Sequence, residues 1–183
     1  MHVNHETGWV DGIQHCPSPH FDERPDADIS LLVLHKISLP PGQFGTGAVQ
    51  ALFQGTLDCS AHPYFEGLVG LRVAAHFLIE RDGTVVQFVS CNKRAWHAGV
   101  STFQGRERCN DYSIGIELEG TDEQPFTAEQ YAQLIPLVQA LQRTYAAITP
   151  QRVCGHSDIA PNRKIDPGPY FDWSVLRQQG LIV

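Results

Sequence analysis

The chain has 183 residues, 42% of them hydrophobic and 18% charged, which suits one globular α/β or similar domain with a real core. A formal net charge of −7 excludes the basic footprint of a general nucleic-acid binder and leaves no polybasic patch for an anionic membrane. No run approaches the roughly 18 apolar residues of a membrane-spanning helix, and the N-terminal segment has no basic stretch leading into an apolar one.

Residues 1–28 are polar and proline-bearing and read as an irregular N-terminal arm. ISLLVLH (29–35) is a continuous apolar run that suits a strand buried on both faces, with His35 where the strand leaves the core. Residues 38–70 form a long loop with room for at most one short helix near 48–54; a loop of that length inside a compact domain is usually functional or disordered. AAHFLIERDGTVVQFVS (74–90) is a hairpin pattern around Asp82-Gly83, and 93–111 is polar and loop-like.

SIGIELEG (113–120) alternates, with Ile114, Ile116 and Leu118 on one face and Gly115, Glu117 and Glu119 on the other. Thr127 caps a predicted helix that runs to about Ala147, with Leu134, Leu137, Val138 and Leu141 as its apolar stripe and Pro136 as an interruption. RVCGH (152–156) reads as a short strand, HSDIAPNRKIDPG (156–168) as a restrained loop, and Asp172 as the cap of a last helix near 173–179. The expected fold class is α/β: a single domain over 1–183 with a central mixed sheet of about five or six strands and flanking helices.

Three residues could carry metal chemistry. His35 and His156 each end a predicted strand, and Asp166 follows in a loop restrained by Pro161 and Pro167. If the strands are neighbours, two imidazoles and a carboxylate can meet as a three-ligand Zn²⁺ site, which would bring the pKa of a bound water to about 7. The plainer alternative is a pair of hydrogen-bonded histidines and a turn-forming aspartate. Glu117 is a candidate base on the polar face of its strand, but Glu119 shares that face. Lys164 is either an oxyanion partner or a solvated loop lysine. Cys154 and His156 share a strand face and suggest thiolate chemistry, yet a cysteine inside an apolar strand is usually a buried structural thiol. The five cysteines are odd in number and form no CxxC pair, so reduced thiols and a cytoplasmic setting are expected, unless a leader has been removed.

The segments LHKISLPPGQFGTG, LRVAAHFLIERDGTVVQFV, KRAWHAGVSTFQGRERCNDYSIGIELEGTD and GHSDIAPNRKIDPGPYFDW closely resemble the AmpD-type N-acetylmuramoyl-L-alanine amidases, in order and spacing over nearly the whole chain. The family is related to peptidoglycan-recognition domains. The resemblance implies one zinc ion held by His35, His156 and Asp166, with Glu117 rather than Glu119 as the base and Lys164 stabilising the transition state. It implies hydrolysis of the lactyl–L-alanine amide in 1,6-anhydro-N-acetylmuramoyl-peptides during cytoplasmic peptidoglycan recycling. Trp96 offers a face to the sugar or lactyl group, and Arg72 and Arg108 are candidates for the peptide carboxylates.

The partner so implied is a small soluble muropeptide, with no nucleic acid, membrane or obligate protein partner. Two other readings share the scaffold: a bacteriolytic amidase acting on intact wall, and a non-catalytic muropeptide-binding module. The chain departs from the family's H-N-I pattern at His35-Lys36-Ile37, placing a lysine beside a ligand. The long 38–70 loop is a candidate gate over the cleft.

Overall fold

A computed structural model describes residues 1–183. Ten strands appear in chain order: β1 (Gln14–His15), β2 (Phe21–Asp22), β3 (Leu31–Ile37), β4 (Phe77–Ile79), β5 (Val85–Gln87), β6 (Arg94–Ala95), β7 (Thr102–Phe103), β8 (Arg106–Glu107), β9 (Ser113–Glu119) and β10 (Val153–Gly155). Four α-helices accompany them: α1 (Ala48–Gln54), α2 (Ala128–Thr144), α3 (His156–Ile159) and α4 (Trp173–Gln178). Six strands form the central sheet in the order β1-β5-β4-β9-β3-β10. Only the β4–β5 hairpin is antiparallel within it. The result is the expected single mixed α/β domain, and none of its helices is long and apolar enough to cross a membrane.

Strand alternation divides the core. Leu32, Leu34, Ile114, Ile116 and Leu118 face α2, whose Leu134, Leu137, Val138 and Leu141 complete the largest apolar cluster. The opposite face carries two smaller clusters, one around Leu31 and Val33 and the other around Leu78, Val86 and α1. His35 and Glu117 emerge on that second face.

The ends of α2 follow from its capping chemistry. Thr127 accepts from the Gln130 amide and the Gln130 side chain accepts from the Thr127 amide, a reciprocal capping box. The helix stops at Thr144, earlier than the expected Ala147, where Tyr145 leaves helical geometry. Gly83, at φ 88°, makes the β4–β5 turn, and the Asp82 carboxylate accepts the Thr84 amide.

Several sequence expectations are corrected. The N-terminal arm is not wholly irregular, because β1 forms a sheet edge and β2 pairs with β6. Strands of two residues are too short to show alternation. The loop at 93–111 likewise contains β6, β7 and β8. β3 continues to Ile37, so His35 lies inside the strand rather than at its end; Lys36 and Ile37 still pair with Leu118 and Glu119. His156 opens α3 rather than ending a strand, because the Asp158 carboxylate accepts the Gly155 amide at 2.7 Å and starts a helical turn.

Candidate active site

The parallel pairing of β3 with β9 sets His35 opposite Glu117. Residues paired across a parallel ladder project to the same face, so imidazole and carboxylate share one side of the sheet. On the other flank of β3, β10 pairs Gly155 with Leu34, which brings His156 to the same rim. Asp166 arrives from the loop. Its backbone carbonyl accepts the Ser157 amide at 2.9 Å. Gly155 permits the approach: a Cβ there would lie 2.8 Å from Cδ of Pro167.

These elements bring three donor atoms together. His35 Nδ1 and His156 Nδ1 are 3.0 Å apart, and they lie 3.2 and 3.1 Å from Asp166 Oδ2. Tetrahedral zinc with bonds near 2.0–2.2 Å needs ligand atoms roughly 3.3–3.5 Å apart, so the three donors need to spread by only a few tenths of an ångström to take an ion. The chemistry of the donors agrees. His156 Nε2 lies 3.0 Å from the Ala98 carbonyl, which can only accept, so Nε2 carries a proton and, in the neutral ring, Nδ1 presents a lone pair. A lone pair facing a carboxylate oxygen is repulsive unless positive charge lies between them. The His35–His156–Asp166 group therefore fits a metal ion.

The protonation states suit ligation. Burial, opposed by Asp166, pushes His35 down to about 4, so its ring is neutral at pH 7. Burial would raise Asp166, but the imidazoles of His156 and His35 beside it outweigh that and hold the carboxyl well below the usual carboxylate range.

Glu117 and Glu119 separate by environment. Glu119 is spent on structure, its oxygens accepting from the Gly45 amide at 2.8 Å and the Arg81 amide at 3.3 Å. Glu117 Oε1 stands 4.0 Å from His35 Nδ1, and its Oε2 is buried without a hydrogen-bond partner. Burial and then the Asp166 charge push Glu117 well above the ordinary glutamate value, against Lys164 and Lys36. A carboxylate so placed is poised to accept a proton. Cys154 is a buried thiol raised far above its usual range, first by burial, so it offers no thiolate.

Two of the donors, His156 and Asp166, line a cleft of about 680 Å³ together with Trp96, Glu117 and Lys164. That volume suits a small-molecule ligand. Arg72 is exposed and lines a smaller neighbouring pocket instead. Arg108 lies outside the cleft; its side chain is 72% exposed and pairs with Asp111 at 3.1 Å. Lys36 reaches the cleft rim, where its ammonium pairs with Asp122 beside Gly168. Part of the 38–70 loop also lines the cleft, through Leu39, Tyr64 and Leu68.

Sequence reasoning missed three side chains here. His97 Nδ1 lies 2.9 Å from His35 Nε2. Asn110 Oδ1 accepts the amides of His97 and Ala98. Arg163 donates to the carbonyls of Ala98 and Val100, both at 2.7 Å. None lies in a periodic element, and only the adjacency of His97 to Trp96 could have drawn attention.

A family model for N-acetylmuramoyl-L-alanine amidases matches residues 25–169. The chain is 58% identical over 169 residues to the Haemophilus influenzae 1,6-anhydro-N-acetylmuramyl-L-alanine amidase AmpD, covering 92% of both chains. It is 57% identical to the Escherichia coli protein of the same name, covering 94% of both. A selenomethionine AmpD crystal structure superposes with a TM-score of 0.94 at 55% identity, covering 100% of each chain. The Escherichia coli amidase AmiD, solved with anhydro-N-acetylmuramic acid-L-Ala-D-gamma-Glu-L-Lys, is 33% identical with a TM-score of 0.63, covering 85% of this chain and 58% of that one. With its fold, its cleft and these likenesses agreeing, the chain is an amidase and belongs to the N-acetylmuramoyl-L-alanine amidase family.

Proposed function

We propose that this enzyme is a zinc amidase that cuts the lactyl–L-alanine amide of 1,6-anhydro-N-acetylmuramoyl-peptides during cytoplasmic peptidoglycan recycling. The observation that carries this reading is the convergence of His35, His156 and Asp166, with Glu117 Oε1 only 4.0 Å from His35 Nδ1. His35 and His156 would hold the ion through Nδ1 and Asp166 through Oδ2. When bound, zinc supplies a Lewis acid that acidifies water and polarises the scissile carbonyl.

The rest is done by the chain. Glu117 takes a proton from the attacking water as its oxygen bonds to the carbonyl carbon. Lys164, lining the cleft near Asp166, stabilises the oxyanion that develops. Glu117 then delivers the proton to the alanine nitrogen as the carbon–nitrogen bond breaks, leaving a lactyl carboxylate and a free peptide amine. Trp96 gives the sugar end an apolar wall. Arg72, between the cleft-lining residues Leu71 and Val73 in the chain, is the candidate partner of a peptide carboxylate. Arg108 would need to leave Asp111 to do the same. The free cysteines suit a reducing compartment.

The test is metal content and turnover before and after chelation, followed by zinc add-back, on anhydromuropeptide and on polymeric wall. Zinc-restored release of peptide from the soluble substrate is expected. Preference for the polymer would overturn the substrate assignment, and binding without release would leave a recognition module.

A further inference from the structure

The mechanism above leaves His97 unused, yet His97 is held with care. Its ring packs onto Gly115 of β9, where a Cβ would lie 2.5 Å from His97 Nδ1. Its amide donates to Asn110 Oδ1 at 3.1 Å, and its Nε2 is 3.2 Å from Ser113 Oγ. Its Nδ1 faces His35 Nε2 at 2.9 Å. The next residue supplies the matching contact for the other histidine, because the Ala98 carbonyl takes the proton of His156 Nε2 at 3.0 Å.

We propose that His97 is a positioning residue: with the neighbouring Ala98 carbonyl it forms one unit that orients both imidazoles, His97 accepting from His35 Nε2 so that Nδ1 of His35 is bare. The inference rests on the metal-site reading above. Two lone pairs, one on each Nδ1, then face the Asp166 oxygen. Without an acceptor at His97, the His35 ring can protonate Nδ1 instead or rotate, and each alternative removes a ligand. Gly115 is the complement of His97, since any side chain there would fill the space the ring occupies. Ser113 Oγ, 3.2 Å from His97 Nε2, can accept its proton, and in that arrangement His97 Nδ1 is left to accept.

The experiment uses wild type, His97→Leu, His97→Gln and Ser113→Ala. Two quantities are read: zinc affinity by competition with a chromophoric chelator, and the His35 tautomer in metal-free, ¹⁵N-histidine-labelled protein by long-range ¹H–¹⁵N correlation. His97→Leu is expected to weaken zinc about 10–100-fold and to mix the His35 tautomers. His97→Gln, whose Oε1 can accept from His35, should recover most of both. Ser113→Ala should give a smaller loss in the same direction.

A folded His97→Leu with wild-type affinity and an unchanged His35 tautomer overturns the proposal. If His97→Leu fails to fold, wild-type behaviour of Ser113→Ala in both readouts overturns it. The tautomer is read without metal, so it tests His97 even if wild type binds no zinc. Absence of zinc binding would sink the functional reading separately.

Discussion

His35 and Glu117 are direct partners across the parallel β3–β9 ladder, and their side chains share the face that opens into the cleft. Their registration fixes the separation between a candidate ligand and a candidate base through backbone hydrogen bonds rather than flexible loops. A shift of one residue would turn Glu117 into the apolar cluster and bring Ile116 or Leu118 to the cleft.

Glu117→Gln keeps the shape of the side chain and removes its capacity to accept a proton. Turnover should fall about 10²–10⁴-fold with zinc content unchanged. Steady-state rates beside metal analysis check this, and near-normal turnover in a zinc-loaded variant would exclude Glu117 as the base.

Gly115→Ala places a methyl group 2.5 Å from His97 Nδ1. Overpacking of this kind should cost about 1–3 kcal/mol, read as a lower urea midpoint. His97→Ala should relieve part of that cost, and additive losses in the double variant would show that the two sites are independent.

Thr127→Ala removes the capping bond to Gln130 and a donor to the Arg81 carbonyl, 2.7 Å away. The expected loss is about 1–2 kcal/mol of stability, with little effect on catalysis in folded protein. Chemical unfolding and turnover measured at low temperature separate the two effects.

Lys36→Ala breaks the pair with Asp122 at the cleft rim. An ion pair worth about 1 kcal/mol corresponds to roughly fivefold in KM if it holds the substrate-facing wall, with kcat nearly constant. A fall in kcat at constant KM would instead tie Lys36 to the chemical step.

Burial, followed by the Arg24 charge, pushes His76 down to about 3 from its ordinary 6.5. Between these values the unfolded chain binds a proton that the folded chain does not. Its contribution is therefore intact above 6.5 and is lost as pH falls from there toward about 3. His76→Asn, whose Oδ1 can accept the Gly115 amide that His76 Nδ1 now takes, should flatten the dependence of unfolding free energy on pH. An identical slope in both proteins would count against this account.

The amino-acid sequence by itself determined the local elements and the chemistry available to them. The apolar run of β3, the alternation of β9, the Asp82-Gly83 turn and the Thr127 cap are each decided by neighbours in the chain. Motif order likewise singled out His35, Glu117, His156, Lys164 and Asp166. Tertiary structure alone decided what those residues meet. Register distinguishes cleft-facing Glu117 from Glu119, which is tied to Gly45 and Arg81, and folding sets His97 on Gly115 while leaving Arg108 with Asp111. The physical reason is range: periodicity and capping act over a few residues, whereas His35 and Asp166 meet across 131 positions through strand pairing and loop packing that no local pattern encodes.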